Sequence, residues 1–129
     1  MSRSIRLSLL AATILLVAPA ARADDAALAA KLVGAWEGRW EYAEAGGKLT
    51  AKITSSSGNS IKGETTWFAT AVGDFSDRIS SAKLKDGKLK VSEQTMDFEV
   101  TISEDGTTME GTWTSPMASG PMKLKKKAD

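Results

Sequence analysis

The chain has neither cysteine nor histidine among its 129 residues. Without thiols it has no disulfide and no cysteine nucleophile. Without imidazole it lacks the usual general base and the nitrogen ligand of most transition-metal sites. No Gly-x-Ser-x-Gly elbow occurs either, so the common hydrolase nucleophiles are missing. Carboxylates, lysines and hydroxyls remain, and their spacing fixes no reactive geometry. Asp74, Asp77 and Arg78 lie close together, but aspartates in such stretches typically cap turns. Asp24 with Asp25, and Glu104 with Asp105, supply too few oxygens for a calcium cage. The expectation is a non-enzymatic protein with no catalytic residue, no metal site and no cofactor.

Long apolar runs are equally scarce. The single one, Leu7 to Val17, follows Arg3 and Arg6 and precedes Ala21-Arg22-Ala23. Positive charge, an apolar stretch and small residues in that order predict a signal peptide over residues 1–23, cleaved after Ala23. A membrane anchor would need about 20 apolar residues, and this run is shorter and ends near Pro19. A lipid anchor would need a cysteine at the cleavage site. The expected product is therefore periplasmic or secreted, with no stable membrane attachment, and residues 24–129 form a single domain. Its net charge is −2 once the leader's three arginines are removed. A near-neutral domain offers no clustered basic face for nucleic acid. The one basic cluster, Lys123 with Lys125 to Lys127, is read as a solvated tail.

What the domain does have is alternation. After a short helix expected at Asp24 to Val33 and ended by Gly34, the apolar period changes to two. Trp36, Gly38, Trp40 and Tyr42 alternate with Glu37, Arg39 and Glu41. The pattern returns through Leu49 to Thr54, Ile61 to Trp67, Ile79 to Leu84, Lys88 to Val91, Met96 to Ile102 and Met109 to Trp113, with a weaker strand at Met122 to Lys126. Turn chemistry separates these segments, most clearly at Asp86-Gly87, a dipeptide suited to a tight hairpin. Eight short strands with one apolar face each can bury it only by curling. The prediction is an all-β, eight-stranded, antiparallel up-and-down barrel. Phe68 to Ser76 escapes the alternation and is expected to form a lid over one barrel mouth. Gly38, Gly63 and Gly111 are expected where the wall bends or a large ring lies across.

Gly34-Ala35-Trp36, opening the first strand after a helix, resembles the Gly-x-Trp motif of the lipocalins and the wider calycin barrels. A closer likeness is to a small barrel domain of bacterial exported proteins, found alone or beside serine hydrolase and peptidase domains. Leu32 to Gly38, Asp86 to Leu89 and above all Asp105 to Thr114 carry it. These are turn and packing motifs and imply fold more than activity. The resemblance also implies that a basic residue of the last strand, Lys125 or Lys126, packs over Trp36 by cation-π contact.

The remaining candidates are the inward aromatics. Trp40, Trp67, Phe98 and Trp113 are expected to surround one small hydrophobic ligand, because a barrel of eight strands is just wide enough for one small molecule. The competing expectation is that these rings fill the interior and that the barrel is a structural or interaction module for a periplasmic protein partner.

Overall fold

The computed structural model describes residues 25–128; the expected leader and Asp24 lie outside them. A helix, α1 (residues 25–31), is followed by β1 (Gly34–Tyr42), β2 (Ala45–Ser57), β3 (Ser60–Thr70) and β4 (Gly73–Lys85). Four shorter strands complete the chain: β5 (Lys88–Glu93), β6 (Asp97–Ile102), β7 (Thr108–Thr114) and β8 (Ser119–Lys126). Each strand pairs antiparallel with the next, and β8 returns to β1, so the sheet is a closed barrel without a free edge. Closure runs from Trp36 opposite Lys126 to Trp40 opposite Met122. In a chain that cannot staple its edges, closure satisfies every strand's ladder and removes a template for aggregation.

Alternation decides which side chains go inside. On β5 Leu89, Val91 and Glu93 are buried while Lys88, Lys90 and Ser92 are exposed; β6 repeats the pattern with Phe98, Val100 and Ile102. At the β4–β5 hairpin Asp86 and Gly87 both take positive φ, 52° and 79°, the twist that a two-residue turn between right-twisted strands requires. Gly38, Gly63 and Gly111 sit where a neighbouring strand's backbone comes close, rather than beneath a ring. A Cβ on Gly111 would lie 1.9 Å from the Glu99 carbonyl oxygen.

One end of the barrel is shut by α1. Ala29 and Leu32 are fully buried there, and the Trp36 indole Nε1 donates to the Leu32 carbonyl at 2.8 Å. The Asp25 Oδ1 accepts from the Asp86 amide and ties α1 to the β4–β5 turn. Lys126 stands beside Trp36 in register, but its ammonium donates to the Lys31 carbonyl at the helix C-terminus, where a cation also answers the helix dipole. The expected cation-π contact with Trp36 is thus replaced by a helix cap. The cation over a ring among the described residues is Lys48, 5.9 Å from Phe68.

The segment Phe68 to Ser76 is not a lid. β3 continues to Thr70 and β4 begins at Gly73, so Ala71 and Val72 form a tight turn. Alternation fails there because the ladder slips between Trp67 and Thr70, and Ala69 takes a φ of 60°. The Asp74 carboxylate accepts from the Ala69 amide at 2.8 Å and holds that irregularity in place.

Candidate functional site

Opposite α1, the turns β1–β2, β3–β4, β5–β6 and β7–β8 frame the other barrel end. The four residues expected to form a site converge just inside it. Trp40 and Trp113 meet edge to face, with centroids 6.0 Å apart and planes at 87°. Trp113 meets Trp67 at 6.4 Å and 70°, and Trp67 meets Phe98 at 6.4 Å and 63°. Rings set edge to face align their quadrupoles favourably, about 0.5 to 1.5 kcal/mol per pair beyond the area buried. Beneath this aromatic layer the interior is packed by Leu49, Leu84, Leu89, Val100, Met109 and Leu124, each no more than 3% exposed.

Two of the tryptophans are held by the same device. Trp40 on β1 lies directly opposite Gly47 on β2, and its Nε1 reaches across to the Phe68 carbonyl on β3 at 2.9 Å. Trp113 on β7 lies opposite Gly120 on β8, and its Nε1 reaches the Glu41 carbonyl on β1 at 2.9 Å. Each indole therefore spans a whole strand. Only glycine leaves room beneath it: a Cβ at position 47 would stand 2.8 Å from the Trp40 Nε1, and one at 120 would stand 3.1 Å from that of Trp113. Their carbonyl bonds satisfy both indoles and fix the ring planes.

The third tryptophan hydrogen-bonds inward. Trp67 Nε1 donates to Thr65 Oγ1 at 2.8 Å, which donates to Glu93 Oε2 at 2.7 Å. Glu93 is 7% exposed, and its other oxygen, Oε1, has no hydrogen-bond partner. Burial pushes this carboxyl up to about 7, against the pull of the Thr65 hydroxyl and with the help of the neighbouring Asp77 charge. Asp77, also buried, serves the β5–β6 turn: its oxygens accept from the amides of Gln94 and Thr95 and from the Thr95 hydroxyl.

Above the aromatic layer lies an open cavity of about 450 Å³, walled by Trp40, Tyr42, Trp67, Phe75, Met96 and Trp113 and rimmed by Val72 and Met117. Val72 is 83% exposed and Met117 92%, although each is apolar. Phe98 does not line this cavity; it stands opposite Trp113 in the ladder and packs against Trp67. A larger depression of about 800 Å³ crosses β2, β3 and β4 on the outside. It marks the break in β3–β4 pairing between Ser60 and Glu64 and is lined mainly by serines and charged side chains.

Met117 and Glu93 are the residues that sequence reasoning passed over. Glu93 was legible in principle, since it continues the inward row of Leu89 and Val91, but a carboxylate at that position reads as the strand's end. Met117 sits in a Ser-Pro-Met-Ala turn with no periodicity to mark it.

No protein-family model and no curated protein matches the chain. Among solved structures it is similar to one described as a redesigned beta barrel, with a TM-score of 0.63 and 12% identity over 79% of this chain and 96% of that one. At that identity the likeness is one of architecture: this chain is an eight-stranded antiparallel β-barrel with a short helix at its N-terminal side.

Proposed function

We propose that the protein is a non-enzymatic binding barrel, exported and lipocalin-like as its sequence suggests, which takes one small hydrophobic ligand at its open mouth. The cavity over Trp40, Trp67 and Trp113 supports this reading best. Its walls are aromatic and aliphatic, and its rim leaves Val72 and Met117 in water. Exposed apolar side chains at the rim of an apolar concavity suit a binding site. The ligand sits on the aromatic layer rather than in the barrel centre, because the space below is occupied. This reading combines the two expectations for the interior: packed at depth, receptive at the mouth.

The test is a titration with a neutral apolar dye such as Nile red, followed by dye emission and by tryptophan fluorescence. Saturable binding is expected, and Val72→Asp with Met117→Asp together should weaken it without unfolding the protein, since neither side chain is buried. Absence of saturable binding, or binding indifferent to that double substitution, rejects the proposal.

A further inference from the structure

We infer that the ligand of the mouth carries a cationic head group on its apolar body, a conclusion that rests on the binding role proposed above. Carboxylates outnumber cations around the mouth. Residues 41–47, 68–77, 93–97 and 114–120, which make up its four turns and the adjoining strand ends, contain Glu41, Glu44, Asp74, Asp77, Glu93 and Asp97 and no lysine or arginine. Two cations border the mouth: the Arg39 guanidinium comes within 3.1 Å of where a Cβ on Gly46 would stand, and the Lys48 ammonium lies 5.9 Å from the Phe68 ring. Lys48 is engaged by Glu37 at 2.9 Å, and Arg78 lies opposite Glu64 on the outer face. Lysines gather instead at the far end, where Lys85 and Lys88 flank the β4–β5 turn and Lys125, Lys126 and Lys127 end the chain's last strand region. The barrel is electrically polarised along its axis, negative at the open end.

Hydrogen bonding points the same way. An anionic head group needs donors, and many of those at the mouth are already engaged. The indoles of Trp40, Trp67 and Trp113 donate to Phe68, Thr65 and Glu41. The turn amides of Gln94 and Thr95 donate to Asp77, and those of Met117 and Ala118 to Ser115 Oγ. Ala69 and Val72 amides donate to Asp74 and Thr70. The Tyr42 hydroxyl at the rim can donate or accept and favours neither sign. Aromatic faces and carboxylates together suit an alkylammonium, which gains from ring quadrupoles and from the acidic rim.

The experiment uses three probes of one chain length, decyltrimethylammonium, decanol and decanoate, each below its micelle concentration at neutral pH. Binding is read from tryptophan fluorescence for the wild type and for the double variant Glu41→Lys, Glu44→Lys, whose altered side chains are exposed. The cation is expected to bind tightest and decanoate weakest, by at least about tenfold at low salt, with the gap closing as salt is added. The double variant should shrink or reverse the order. Equal affinities for the three, tighter binding of decanoate, or an order unchanged in the variant overturns the cationic assignment while leaving a binding barrel standing. If none of the three binds, the binding role itself falls, and this assignment with it.

Discussion

Replacing Glu93 with glutamine should stabilise the protein at alkaline pH and leave it unchanged in mild acid. Glu93 has an ordinary carboxylate value of 4.5 when the chain is unfolded and about 7 in the folded barrel. The folded state therefore holds this proton more tightly, so stability falls as pH rises between those two values. Below 4.5 both states are protonated, and above about 7 both are ionised, so the loss is confined to that window. A difference of about 2.5 in pKa between the two states corresponds to about 3 kcal/mol. Glutamine mimics the protonated acid: it still accepts from Thr65 Oγ1, and its amide group occupies the place of the unpartnered Oε1. Urea unfolding followed by tryptophan emission at about pH 5 and about pH 8 should give similar stabilities for wild type and Glu93→Gln at the lower pH, and a variant more stable by about 2 to 3 kcal/mol at the higher. Carboxyls held low, such as Glu37 beside Lys48 and Asp105 within its Ser103 and Thr107 hydroxyls, act in the opposite direction and at more acid pH. They are common to both proteins and cancel in the comparison. A wild-type minus variant difference that does not change with pH, or a variant less stable at about pH 8, refutes the reasoning.

Three further substitutions probe the barrel's frame at its two ends. Gly120→Ala places a Cβ 2.0 Å from the Glu41 carbonyl oxygen, which should break the Trp113 bond, cost about 2 to 4 kcal/mol and shift tryptophan emission to the red on denaturant titration. Asp77→Asn weakens three hydrogen bonds at the β5–β6 turn and should cost about 1 to 3 kcal/mol, with faster hydrogen exchange at the Gln94 and Thr95 amides than elsewhere in the sheet. Leu32→Ala empties a fully buried site between α1 and the closed end and should cost about 2 to 5 kcal/mol, measured by urea unfolding, with the mouth's dye binding preserved.

The sequence by itself determined the strands, their order and which face of each goes inside. Period-two alternation leaves a strand one way to bury its apolar row, and Asp86-Gly87 dictates a tight turn by its φ angles. It also placed Trp40, Trp67, Phe98 and Trp113 on that inner face, and the barrel gathers all four. Tertiary structure alone decided what they do there. Alternation says that a ring points inward, but not whether it borders open space, so it could not separate Phe98, which lines no part of the cavity, from Trp67, which does. The Phe68 to Ser76 segment read as a lid because a slipped ladder and a left-handed Ala69 erase the period. The bonds that steady Trp40 and Trp113 run across an intervening strand, from β1 to β3 and from β7 to β1. Such contacts depend on closing the ring of strands, a step that pairs residues as far apart as Glu41 and Trp113 and leaves no mark on local sequence.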